Sequence, residues 1–341
     1  MLDLMPLGLA VIAVNLFSGE LRMMTFKPLC HSWVALHPEP KGIVQFIGGA
    51  FFGSFPTIAY RYLLEQIFEA GYSVIALPFR FSFRHWSLAI ELLKEQETLR
   101  PELIALAKHL NYDHTVYEDK TNYSWIGHSL GCKYIALLEL LSDRQLTGMD
   151  AKQIREIEQA IARFSIYSVS IKGQPSLLLA PDISDTESAI PIRALAQLLD
   201  KLKLGVLPTR AQTQDLIEQS QLFNLTGLIS FDRDTIAGSV TQPSAKNDVL
   251  WFLTQLKQRR YSLLHQELSG KHLEPVGIRL GRWIVDFNPL DKFAELISDR
   301  PLETVVIQFL DRLQQRQQNI VQTAPTESEE YAIVSTLDRR Y

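Results

Sequence analysis

The run Ser124-Trp125-Ile126-Gly127-His128-Ser129-Leu130-Gly131 constrains the fold of this chain more than any other segment. It reads Gly-x-Ser-x-Gly. A short β-rich run, Asn122–Gly127, leads into it, and a strongly apolar helical run, Leu130–Leu141, leads out. A strand that becomes a helix within so few residues must turn sharply. The residue at the apex is forced into a strained backbone conformation, and side chains two positions to either side would collide. Glycine at 127 and 131 is what such a turn requires. The hydroxyl of Ser129 would then stand at a helix N-terminus, where the dipole and the Leu130 N–H favour a developing oxyanion. The plainer reading is a glycine-flanked serine in an ordinary strand–helix turn. The nucleophile reading asks for more: a base and an acid, each placed after a later strand.

The rest of the chain has the rhythm such a turn needs. Strands are expected over Ile43–Ile47, Ser73–Leu77, Ser176–Ala180, Thr226–Phe231 and Tyr261–Leu268, besides Asn122–Gly127, and Thr25–Pro38 opens a strand-like run. Helical spacing separates them: Ile58–Ala70 up to Gly71, Trp86–Leu110 as one or two helices around Pro101, then Leu130–Leu141. Strands divided by helical runs of a dozen residues argue for a mostly parallel sheet covered by helices on both faces. Asp143–Arg163 is polar and helix-prone. Asp182–Leu225 interrupts the rhythm with an amphipathic helix at Pro191–Leu204 and another at Thr213–Phe223. An insertion there would form a helical lid over the carboxyl ends of the strands, where sites form in such sheets. Helical segments are expected from Asn288 to about Arg316, then a loosely ordered tail over residues 317–341. One domain, residues 23–316, would hold all of this.

Residues 1–22 stand apart. Leu4–Phe17 is almost wholly apolar, yet shorter than the about 20 residues that span a bilayer, and no Lys or Arg precedes it. The expectation is a dispensable tail, with membrane association only through this segment. The net charge of −4 offers nucleic acid no broad basic face. Two cysteines, Cys30 and Cys132, are no disulfide framework, which points to a reducing, cytoplasmic setting. No Cys/His cluster has zinc-ligand spacing, so no metal is expected.

Around Gly127–Gly131 the sequence resembles the α/β-hydrolase superfamily, and Gly-His-Ser-Leu-Gly is lipase- or esterase-like. That resemblance implies a triad ordered nucleophile, acid, histidine. Asp232-Arg233-Asp234-Thr235-Ile236-Ala237 follows the late strand, and Ser269-Gly270-Lys271-His272 follows the last one. More narrowly, Ile47-Gly48-Gly49-Ala50-Phe51-Phe52-Gly53, Leu179-Ala180-Pro181 and Asp234-Thr235-Ile236-Ala237-Gly238 are similar to the Domain of Unknown Function 1350 family of cyanobacteria and plastids. This likeness runs from about Thr25 to Arg316. It implies a fold and a triad, and no substrate.

Of the eight histidines, His265 and His272 lie near the last expected strand. His265 sits within an apolar strand run and fits a packed histidine. His272 sits in a Gly-containing loop, free to reach a hydroxyl as general base. For the acid, Asp234 matches the family loop best. Asp232 would instead cap the turn, and Asp182, after the preceding strand, remains a third choice. Glycines 48 and 49 would let the N–H of Ala50 or Phe51 join Leu130 in an oxyanion hole; the other reading is a plain strand-ending turn. The run from Phe79 to Trp86 carries four aromatics and two arginines. Phe79, Arg80, Arg84 and Trp86 could line a pocket for an amphipathic acyl substrate, or be aromatics under a loop with solvated arginines. His128 is expected to pack or hydrogen-bond the adjoining loop, and Cys132 to be a small buried residue. The function expected is a serine hydrolase of ester or thioester bonds that needs no cofactor. Acyl transfer or lyase chemistry on the same scaffold, and a non-catalytic binding protein, stay open.

Overall fold

The structure is a computed structural model, described here for residues 24–143, 151–164, 169–183, 205–242, 246–286 and 293–323. The apolar segment Leu4–Phe17, the expected helix Pro191–Leu204 and most of the tail lie outside the described residues.

Eight strands form one sheet: β1 (Lys27–Leu29), β2 (Ser32–Ala35), β3 (Gly42–Ile47), β4 (Tyr72–Ala76), β5 (Tyr123–His128), β6 (Ser176–Leu179), β7 (Thr226–Phe231) and β8 (Leu264–Leu268). Their order is β1-β2-β4-β3-β5-β6-β7-β8. From β4 to β8 every pairing is parallel, and β1 and β2 add an antiparallel edge. The central strands β3, β4, β5, β6 and β7 are buried along their whole length. That is why they read as near-continuous apolar runs and not as an alternation. Edge strand β8 is only partly buried and carries His265, Gln266 and Glu267.

Strand order reverses at β3, with β4 on one side and β5 on the other. Chains leaving neighbouring strands there diverge and open a crevice at the carboxyl ends. Residues 48–53 leave β3 at that point and Ser129 leaves β5, with Ile47 paired to Gly127 in register. Helices Leu130–Asp143 and His85–His109 pack together against the sheet, and Arg61–Glu69 packs with Leu302–Thr323. Pro101 lies inside the unbroken helix His85–His109.

Two expectations fail after β8. Three short strands, β9 (Ile278–Leu280), β10 (Trp283–Val285) and β11 (Ala294–Leu296), form a separate antiparallel sheet, and β11 falls within the stretch after Asn288 where helical segments were expected. Strands of three residues are too short to show a period of two, and Gly281 at φ +62° makes the β9–β10 turn. The last helix runs to Thr323, beyond the expected end near Arg316. Among the described residues no helix is long and apolar enough to cross a membrane.

Candidate active site

Ser129 occupies the left-handed region at φ +54°, one residue before the helix Leu130–Asp143. Its N–H donates to the Leu179 carbonyl at 3.0 Å, and its carbonyl accepts from Cys132 N–H at 3.0 Å. These bonds tie the apex to β6 and to the first helical turn. The sterics anticipated from sequence are present. A Cβ at Gly127 would stand 2.8 Å from Cys132 N, and one at Gly131 would stand 2.1 Å from the Ile47 carbonyl oxygen.

The remaining partners arrive from β7 and β8. His272 lies in the loop after β8, with Nε2 2.8 Å from Ser129 Oγ. Its Nδ1 lies 2.9 Å from Asp234 Oδ2. The other oxygen, Asp234 Oδ1, accepts the N–H groups of Ile236 at 2.8 Å and Ala237 at 3.0 Å. Two amides therefore fix the carboxylate plane and leave one oxygen for the imidazole. Serine, histidine and aspartate are all buried.

The other acid candidates take different places. Asp232 Oδ1 accepts from Gly270 N–H at 2.8 Å, so it braces the loop that carries His272. The Asp182 amide approaches the Ser129 carbonyl at 3.3 Å. Its side chain lies near Asp248, whose carboxyl is raised to about 6 by burial and by the Asp182 charge. His265 pairs with Ser230 at 3.1 Å along the sheet edge. Cys132 is buried, with Sγ 3.2 Å from the Gly127 carbonyl, and Cys30 is exposed.

Gly49 brings the β3 loop against the serine: a Cβ there would lie 3.2 Å from Ser129 Cβ. Its own N–H is spent on the Tyr60 hydroxyl at 2.7 Å. Ala50 and Phe51 follow, and the Phe51 ring stacks on Phe81 at 5.9 Å with 5° between planes. The aromatic run itself is not gathered into one pocket. Phe79 packs into the core against Tyr134, and Trp86 is buried as well. Arg80 is 73% exposed and pairs with Glu91 at 2.8 Å, while Arg84 is exposed. Phe51 and Phe81, at 68% and 45% exposure, are large apolar surfaces beside the loop.

His128 does reach the adjoining loop: Nε2 lies 2.8 Å from the His272 carbonyl and Nδ1 2.8 Å from the Tyr60 hydroxyl. Burial, then the neighbouring His272, lowers its pKa to about 3, so the ring is neutral. Tyr60 gave no signal in the sequence, where it reads only as part of an amphipathic helix. Among the described residues no group of three or more His, Cys, Asp or Glu is gathered to hold a metal ion.

No curated protein matches this sequence. Among solved structures, the carboxylesterase Cest-2923 of Lactobacillus plantarum WCFS1 superposes with a TM-score of 0.50 at 12% identity, covering 85% of this chain and 97% of that one. Esterase 2 of Thermogutta terrifontis, phosphoramylated by tabun, gives 0.49 at 12% identity over 87% and 97%. A sugar hydrolase of Lactococcus lactis gives 0.48 at 13% identity over 86% and 99%. At such identity a likeness speaks for the fold, and the eight-stranded, mostly parallel sheet is that of an α/β-hydrolase. Residues 25–319 match the family described as protein of unknown function (DUF1350), and the chain belongs to that family.

Proposed function

We propose that this protein is a serine hydrolase that cleaves ester or thioester bonds of a small acyl substrate. The observation that carries the reading is the continuous line Ser129 Oγ, His272 Nε2, His272 Nδ1, Asp234 Oδ2, at 2.8 and 2.9 Å, with the serine held at φ +54°. In this reading His272 Nε2 takes the hydroxyl proton as Ser129 Oγ bonds to the substrate carbonyl carbon. The tetrahedral oxyanion accepts from the N–H of Leu130 and from that of Ala50 or Phe51, the donors left once Gly49 is engaged. His272 passes the proton to the leaving alcohol or thiol, and an acyl-serine remains. Water then attacks the acyl carbon, gives its proton to His272, and leaves as the acid while Ser129 recovers its hydrogen. Asp234 holds the imidazole in the Nδ1–H tautomer and stabilises the imidazolium. The stacked faces of Phe51 and Phe81 offer an apolar ledge beside the oxyanion loop for the acyl chain.

The test is covalent labelling with a fluorophosphonate, followed by peptide mapping and a panel of acyl chain lengths. Wild type should carry the label on Ser129 and Ser129→Ala should carry none. Equal labelling of both would overturn the reading.

A further inference from the structure

We propose that Tyr60 and His128 are positioning residues of the Ser129 site, joined in one neutral hydrogen-bonded chain that fixes the oxyanion loop and the base loop to each other. The proposal rests on the reading of Ser129 as nucleophile. The chain runs from Gly49 N–H to the Tyr60 oxygen (2.7 Å), from the Tyr60 hydroxyl to His128 Nδ1 (2.8 Å), and from His128 Nε2 to the His272 carbonyl (2.8 Å).

The direction of every bond follows by elimination. The Gly49 amide only donates, so the Tyr60 oxygen accepts there and its single proton points to His128. The imidazole is neutral, since burial holds its pKa at about 3. Nδ1 must therefore be the bare nitrogen and Nε2 the protonated one. A carbonyl only accepts, so Nε2–H donates to His272. The opposite tautomer would set two hydrogens toward one another at Tyr60 and two lone pairs toward one another at His272. Tyr60 and His128 are each 0% exposed, so water cannot replace a lost partner cheaply.

The consequence is mechanical. Asp234 orients the His272 side chain, and this second tether holds its backbone carbonyl. The same tether ends on Gly49, whose neighbours Ala50 and Phe51 are the proposed oxyanion donors. One phenolic hydroxyl thus links the two halves of the machinery, which come from loops more than two hundred residues apart in sequence. His128 directly precedes Ser129, and its ring lies 5.1 Å from that of His272 and 5.6 Å from that of Tyr60.

Tyr60→Phe deletes one oxygen and keeps the ring packed on Phe46, 4.6 Å away. The experiment compares wild type with this variant by the second-order rate of fluorophosphonate labelling, by kcat and KM on a short-chain ester, and by ¹⁵N NMR of the histidine ring nitrogens. In wild type, His128 should show a single Nε2–H tautomer from acid to alkaline pH. In Tyr60→Phe the His272 carbonyl still holds the Nε2–H tautomer, so the His128 Nδ1 resonance alone should shift as it loses its donor, and labelling and kcat should fall by about tenfold to a hundredfold with KM little changed. A structural role alone would move the melting temperature and not the Nδ1 resonance or the kcat–KM split. Wild type in the Nδ1–H tautomer, or a labelling rate in Tyr60→Phe equal to wild type, would overturn the proposal. Absence of label on Ser129 in wild type would overturn the nucleophile reading and this one with it, a result distinct from the other two.

Discussion

Replacing Gly131 by alanine tests the elbow through a sign. Gly131 lies in the first turn of the helix Leu130–Asp143 and is not among the residues with positive φ. Propensity alone therefore predicts that alanine stabilises the protein by about 1 kcal/mol. The structure predicts the reverse. The new Cβ would stand 2.1 Å from the Ile47 carbonyl oxygen and 2.7 Å from that of Gly48, where ordinary contact begins near 3.4 Å. Both obstacles are backbone at the end of β3, so neither can swing aside as a side chain does. Overpacking of this kind costs about 3 kcal/mol, the upper end of the usual range. The net effect is a loss of about 2 kcal/mol, or a melting temperature lower by about 3 °C. The displaced segment is the one that leads into Ala50 and Phe51, so fluorophosphonate labelling should also slow by at least about tenfold. Calorimetry or circular dichroism melting, with labelling kinetics on the same samples, reads both. A melting temperature at or above that of wild type would refute the reasoning, because the clash would then be absent.

Two further outcomes follow from the acid loop and from the buried titratable groups. Asp234→Asn should lower kcat by orders of magnitude, since the imidazole loses the partner that selects its tautomer. Asp232→Asn, which weakens the brace to Gly270 and the ion pair with Arg233, should cost less than about tenfold; the reverse order would move the acid to Asp232. His85 and His128 are buried neutral, with pKa values lowered by burial from 6.5 to about 2 and about 3. The unfolded chain then binds more protons below pH 6.5, and each histidine costs about 1.4 kcal/mol of stability per pH unit on acidification. Asp248, raised to about 6, has the opposite sign, because there the folded state binds the extra proton. Two histidines against one carboxyl leave a net loss of about 1.4 kcal/mol on going from pH 6 to pH 5. Urea unfolding at the two values measures it, and equal midpoints would contradict the assignment of buried neutral histidines.

Local sterics and apolar runs made part of this fold legible along the chain. Glycines at 127 and 131 around Ser129 permit a strained apex between a strand and a helix. The apolar runs at 43–47, 73–77, 122–127, 176–180 and 226–231 argue for burial on both faces, and hence a parallel sheet with connecting helices. The triad order implied by the family resemblance pointed to Asp234 and His272, and the strand order brings the loops after β7 and β8 to the same rim as Ser129. The small sheet at 278–296 was not legible, because strands of three residues carry no period. Tertiary structure alone shows what each of Asp232 and Asp234 touches. Two residues apart in one loop, they differ in which amides each one meets: Gly270 for the first, Ile236 and Ala237 for the second. It also decided that Phe79 and Trp86 belong to the core while Phe51 and Phe81 face outward. Tyr60 is the clearest case. Its hydroxyl meets His128 across 68 positions of chain. A hydrogen bond of that reach is fixed by how a helix packs on a sheet, and no local pattern encodes it.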